Sequence, residues 1–471
     1  MKRAETTRVS AWRRTVGWAF VVTSAVLALL RPDFSAPQAR EGASHSKAAW
    51  HGWLDRELAG SLTWQGVPGA AVAMRQGEEQ LAWQAGSRAA FRDEPLTITS
   101  RIEAASLSKP VTAYAALRLV RQGRLQLDAP VQRGGHRFTL RQLLSHQAGF
   151  DNRLKTPPLP VTPAGRFQYA GSGYLLLGEL IEQASGQDFK RHMNTVVLPE
   201  LGMQHSHYGA TELPDADLAQ PSIDLGLPLA VLAIVASLLA LLLAGVTRLA
   251  CRIVPRWRSP SGVPMALDLL AMVLAGAALA WAWGWAVGLV ATGVLTLGLS
   301  AVWLRGPSPP FARVLGLGLA LMWILLLLWR PAMPLPERKP MFLAAAGLRT
   351  TATDYALFLA HLVREAKTDP LVAEMLSPQA RLSPQMSWGL GVGLQTLGGR
   401  AVAWHWGVNF PGYQALALAD LQTGKVAVVL MNGGSMSFSP AGHRFGGLEL
   451  AHGVATAWLG GVHGRYWSEL P

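Results

Sequence analysis

Cysteine is almost absent from this chain: Cys251 is the single one in 471 residues, so no intramolecular disulfide can form. A cysteine-poor chain suits either side of a membrane, so this scarcity alone does not set the compartment. Charge is scarce as well. Only 15% of residues are charged while 50% are hydrophobic, a balance too apolar for an ordinary soluble protein. Acidic residues are the scarcer sign, 29 against 42 Lys and Arg, for a net charge of +13. A basic excess can signal nucleic acid, but basic residues flanking membrane helices give the same sum.

Position separates these readings. Residues 1–31 hold a basic start with Arg13 and Arg14, then the apolar run Val16 to Leu30, and read as a signal peptide or membrane anchor. Residues 32–47 read as a linker, and globular patterning begins near Ala48. Four apolar runs, at about 225–246, 263–283, 285–304 and 311–329, are long enough to cross a bilayer. The loops after the first and third carry Arg248, Arg252, Arg256, Arg258 and Arg305, whereas the turn at Trp281 to Trp285 has no charge. The positive-inside rule then puts 48–220 and 339–471 on one non-cytoplasmic face, with 221–338 as a transmembrane insertion between them. The expected setting is the bacterial inner membrane, with the lipid bilayer as a partner, and the basic excess leaves no support for nucleic acid. Asp268 reads as an interfacial residue, and a transporter built on these spans would lack the intramembrane polar groups it needs.

Within the globular pieces, "GAAVAMR" (69–75) and "QLAWQAG" (80–86) read as a hairpin turning at Gly77. "TLRQLLSHQAGF" (139–150) reads as a short helix ending at Gly149, and "SGYLLLGELIEQASG" (172–186) as an amphipathic helix stopped at Gly186. "MSWGLGVGLQ", "AVAWHWG", "YQALALAD" and "KVAVVLMN" read as successive antiparallel strands, with a hairpin turn at Asp420 to Gly424.

Two serine-x-x-lysine matches occur, Ser44 to Lys47 and Ser106 to Lys109. A serine hydroxyl needs a base to become a nucleophile, and residues three apart share a helix face. A lysine serves as that base only if its pKa falls by about 3 units, which requires burial. Ser106–Lys109 is followed by Pro110 and the apolar run Val111 to Leu119, so it begins a buried helix. Ser44–Lys47 lies in the linker. A helix-capping serine is the plain alternative for Ser106.

Six stretches taken in order resemble the serine β-lactamase-related family, which includes class C β-lactamases, D-alanyl-D-alanine carboxypeptidases, D-aminopeptidases and esterases. They are "VPGAAVAM" (67–74), "EAASLSKPVTA" (103–113), "LLSHQAGF" (143–150), "FQYAGSGYLLLGELIEQASG" (167–186), "AAGLRTTATDYALFL" (345–359) and "WHWGVNFPGY" (404–413). The resemblance implies an α+β fold, a β-lactamase/DD-peptidase-like antiparallel sheet flanked by helices with a helical subdomain, here interrupted by the four-helix bundle. It implies Ser106 as nucleophile, Lys109 as its base and Tyr169 as a group assisting proton transfer to the leaving group, with no cofactor or metal. It also implies an oxyanion hole from the N–H groups of Ser106 and Val408, and a substrate-lining strand at His405, Trp406 and Gly407. A tyrosine beside a lysine ammonium is expected to have a lowered pKa. His146 reads as structural.

Two positions depart from the family pattern. Gly171 stands where the family has an asparagine that orients the substrate's acyl amide. His405 stands in the third motif in place of a lysine that helps bind the penicillin carboxylate, so true β-lactamase activity is disfavoured. The expected activity is therefore hydrolysis of an ester, amide or peptide through an acyl-enzyme. The alternative is a non-turnover penicillin-binding-type sensor, against which stands the shortness of the expected inner loops.

Overall fold

The computed structural model describes residues 46–64, 66–90, 92–152, 158–210, 217–224, 332–334, 342–397, 399–409, 412–434, 436–439 and 442–460. They fall in one compact unit, Ser35–Asp224 with Ala332–Pro471. The elements that place the site are helix α1 (Lys47–Leu54), strands β1 (Gly69–Gln76) and β2 (Glu79–Gly86), and helices α2 (Ser108–Arg121), α3 (Gly171–Ser185) and α4 (Ala352–Glu365). After them come β3 (Ala380–Arg381), β4 (Met386–Trp388), β5 (Gly393–Leu397), β6 (Arg400–Asn409), β7 (Tyr413–Asp420), β8 (Val426–Met431) and helix α5 (Gly446–Trp458).

The eight strands form one antiparallel sheet in the order β3-β4-β5-β6-β7-β8-β1-β2. Strands from both sequence pieces meet in it, since β1 pairs with β8 at Val72 opposite Val429. The hairpin of β1 and β2 turns at Gly77, whose φ of +58° suits glycine. All residues of β7 and β8 are buried, so the sheet is covered on both faces. Alternation sorts the faces. Ala415, Ala417, Ala419, Val428 and Leu430 face the cluster that includes α2 and α4, and the small alanines let those helices lie close. Leu416, Leu418, Val429 and Met431 face the other cluster, with Leu448, Ala451 and Val454 of α5. The N-terminal helical stretch adds Leu54, Leu58 and Leu62, spaced four apart on one helix face, each stabilising by roughly 2 kcal/mol on burial.

Several local expectations shift. The helix expected over 139–150 runs only from Leu140 to Leu144, opened by a capping box between Thr139 and Gln142, because the chain then turns through His146 at φ +59°. "MSWGLGVGLQ" divides into β4 and β5, joined by a turn in which Gly391 has φ +94°. The residues expected as linker reach only to the start of α1, where Ser46 caps the helix by accepting from Ala49 N–H at 3.2 Å. Ser222–Asp224 pairs antiparallel with Ala332–Pro334, so both of these short strands join the globular unit.

The transmembrane expectation is corrected. Among the described residues no helix is long and apolar enough to cross a membrane. The longest helix introduced above, α3, has 15 residues and so spans about 22 Å, short of a hydrocarbon core of roughly 30 Å. Its apolar face is spent on the core through Leu176, Leu177 and Ile181. The four expected spans and residues 1–31 lie outside the described residues.

Candidate active site

The short strand Ile102–Glu103 leads into a 3-10 turn, Ala105–Leu107, and then into α2. Ser106 is therefore in the turn before the helix, and the helix itself begins at Ser108. Ala105 holds φ at +50°, a left-handed conformation that costs an alanine about 1 kcal/mol or more. Buried bonds hold the turn in place. Ser108 Oγ donates to Ala105 O at 2.6 Å and accepts from Leu348 N–H at 3.0 Å. Tyr355 Oη donates to Leu107 O at 2.9 Å. Ser106 is half-buried while its neighbours from Ile102 to Leu117 are buried, so its hydroxyl is the group the turn presents.

Lys109 comes three residues later. Its Nζ lies 2.8 Å from Ser106 Oγ and 3.0 Å from Ala345 O, which accepts from it. The side chain is 2% exposed, and burial lowers its pKa to about 7. Near neutral pH a large share of the amine is unprotonated, and its lone pair can then accept the hydroxyl proton of Ser106.

Tyr169 reaches the same serine through a side-chain hydrogen bond, and its ring lies 5.0 Å from Lys109 Nζ. Burial pushes its pKa up, with the Ser106 bond acting weakly the other way. This reverses the lowered pKa expected from sequence: burial outweighs the Ser106 bond, and Tyr169 stays a neutral phenol.

Strand β6 carries the third motif. Gly407 has no side chain for a reason: a Cβ there would lie 2.6 Å from Ala104 O and 2.8 Å from Ser106 N. On the β7 side, Ala401 O accepts from Leu421 N–H and Asn409 O from Gly412 N–H, each at 2.9 Å. N–H and C=O of one residue share a side and successive residues alternate, so Trp406 and Val408 turn theirs to the opposite side. β5 pairs with β6 only as far as Gly393 opposite Trp404, leaving that half of β6 an open edge. The structure thus brings Ser106, Lys109, Tyr169, Gly407 and the Val408 backbone together. The Trp406 ring packs on the other face of β6, with the second cluster.

His405 is 3% exposed, and its Nδ1–H donates to Trp406 O at 2.7 Å. Burial, then the charge of Lys109, drives its pKa down to about 3. It is neutral at working pH and turned into the protein, with Trp388 at 5.5 Å and Tyr169 at 6.1 Å between ring centroids. Gly171 opens α3, and its backbone N–H donates to Asn152 Oδ1 of the preceding loop at 2.9 Å. Sequence reasoning assigned no role to Asn152 or to Ala345, although both lie in or beside stretches it singled out. Among the described residues no group of three or more His, Cys, Asp or Glu is placed to hold a metal ion.

The β-lactamase family model matches residues 54–248 and 263–450. The chain belongs to the β-lactamase family of serine hydrolases. The match takes in much of the stretch expected as an inserted bundle, a second finding against that reading. Among curated relatives, a probable fimbrial assembly protein FimD of Dichelobacter nodosus is 31% identical over 140 residues, 23% of this chain and 34% of the relative. Esterase EstB of Burkholderia gladioli is 27% identical over 189 residues, 31% of this chain and 48% of the relative. The alignments thus span a third to a half of these relatives. A class C β-lactamase structure has a TM-score of 0.57 at 13% identity, covering 90% of this chain and 100% of its own. An octameric penicillin-binding protein homologue from Pyrococcus abyssi has 0.53 at 17%, covering 81% and 73%. At such identities these two show the fold alone.

Proposed function

We propose that this β-lactamase-family protein hydrolyses esters or simple amides through an acyl-enzyme on Ser106. The observation that carries this is the 2.8 Å contact between Ser106 Oγ and the Nζ of a buried lysine with a pKa of about 7. Neutral Lys109 takes the Ser106 proton as Oγ attacks the substrate carbonyl. The developing oxyanion is met by the N–H groups of Ser106 and Val408. As the tetrahedral intermediate collapses, Tyr169 Oη hands its proton to the leaving group and is reprotonated from the Lys109 ammonium. Water then attacks the acyl carbonyl as Lys109 takes its proton, and the Lys109 ammonium returns that proton to Ser106 Oγ as the C–O bond to Ser106 breaks and the acid departs.

The substrate's acyl side is uncharged. His405 is neutral and internally bonded, so the third motif offers no cation to a carboxylate. This favours esters over penicillins, and the similarity to an esterase supports the same choice. The basic and apolar segment 1–31 supports placing the domain outside the cytoplasm, which cell fractionation tests. A panel of p-nitrophenyl esters, D-amino-acid amides, D-Ala-D-Ala peptides and nitrocefin, run on wild type and Ser106→Ala, tests the substrate reading. Ester turnover lost in Ser106→Ala supports it; nitrocefin turnover exceeding ester turnover contradicts it.

A further inference from the structure

We propose that His146 is a positioning residue that fixes Tyr169 from both sides, through its carbonyl and its ring. This rests on the reading of Tyr169 as the proton donor. Its backbone carbonyl accepts from Gln168 N–H at 2.8 Å, and its ring Nδ1 accepts from Ala170 N–H at 3.2 Å. The two amides flanking Tyr169 are thus held by one residue. The imidazole also lies against the tyrosine ring, with centroids 4.5 Å apart and planes at 44°. Behind it stand Tyr174 at 5.3 Å and Trp388 at 5.2 Å, which leave the ring no room to swing away.

The backbone at His146 has φ +59°, a conformation rare for a residue with a side chain. That conformation lets the carbonyl and the ring of one residue reach amides two positions apart in the following segment. The ring can accept at Nδ1 only while that nitrogen is unprotonated. Burial, and then the Lys109 and His405 charges, hold its pKa well below the usual imidazole value, so the acceptor persists across working pH. The ring proton then sits on Nε2, which is buried with no hydrogen-bond partner. A histidine kept only to fill space gains nothing from that arrangement, whereas one kept for its Nδ1 acceptor requires it.

The test is a double-mutant cycle on ester hydrolysis with His146→Gly, His146→Asn, Tyr169→Phe and His146→Gly/Tyr169→Phe. Glycine suits the left-handed backbone and deletes the ring; asparagine also tolerates that backbone and keeps an acceptor oxygen. His146→Gly should lower kcat by about 10- to 100-fold with KM changed less than about threefold, the effect of a displaced proton donor. His146→Asn should recover about tenfold of that loss. In the Tyr169→Phe background, His146→Gly should change kcat by less than about twofold. Equal losses in both backgrounds, or full activity of a folded His146→Gly, would overturn the inference. Full activity of Tyr169→Phe would instead remove the role of Tyr169 itself. Should His146→Gly fail to show a cooperative thermal melt, His146→Asn decides: activity within about tenfold of wild type supports the inference, and a loss as large as that of Tyr169→Phe refutes it.

Discussion

Replacing Lys109 with methionine separates what the buried amine does for catalysis from what it does to stability. In the unfolded chain the amine has its ordinary value of 10.5, whereas in the folded protein burial lowers it to about 7. Between those values the unfolded chain binds a proton that the folded protein has released. Stability therefore rises with pH through that window and is lowest at and below pH 7. Each pKa unit is about 1.4 kcal/mol, so burying this amine costs about 4 kcal/mol at pH 7 and about 2 at pH 9. Hydrogen bonds to Ser106 Oγ and Ala345 O offset part of that cost. Methionine has similar length and no charge, so the variant lacks the pH-dependent term. Urea denaturation of both proteins at pH 7 and pH 9 should show wild type gaining about 2 kcal/mol relative to Lys109→Met. Ester hydrolysis by wild type should follow the same titration, kcat/KM falling about tenfold per pH unit below 7. Parallel pH dependence of stability in the two proteins, or an activity limb centred near 10, would refute the reasoning.

Gly407→Ala should cut kcat/KM about 100-fold in an ester assay, because the new Cβ meets Ala104 O and Ser106 N at under 3 Å and pushes the strand from the nucleophile turn. Thr139→Ala removes the capping box of Leu140–Leu144 and should cost about 1 kcal/mol in chemical denaturation.

Where chemistry and local geometry coincide, the sequence was readable. The spacing of Ser106 and Lys109, set before a buried apolar run, predicts their contact, and the 2.8 Å separation agrees with it. The turn at Asp420 was visible because its carboxylate caps the turn, Oδ1 accepting from Gln422 and Thr423 N–H at 2.9 and 3.0 Å. The strain at Ala105 was not, since alanine carries no mark of a left-handed backbone. Nor was the bond from Lys109 to Ala345 O, which joins residues 236 positions apart. The direction of the Tyr169 shift depends on how deeply its ring is enclosed, which spacing does not encode. The third motif was expected on a strand lining the site; β6 is interior along its first half and open only beyond Trp404, a consequence of where β5 stops. The membrane expectation rested on run length and composition in residues outside the described set, whereas the apolar faces of the described helices are occupied by the core of the sheet domain.

The central claim is that Ser106 becomes acylated with Lys109 as its base. Intact-protein mass spectrometry after brief exposure to a fluorophosphonate and to a slowly hydrolysed p-nitrophenyl ester tests it most directly. The account predicts one adduct per chain from each reagent, mapped by peptide sequencing to Ser106, absent in Ser106→Ala and strongly slowed in Lys109→Met. No adduct from either reagent, or an adduct on another residue, would contradict it.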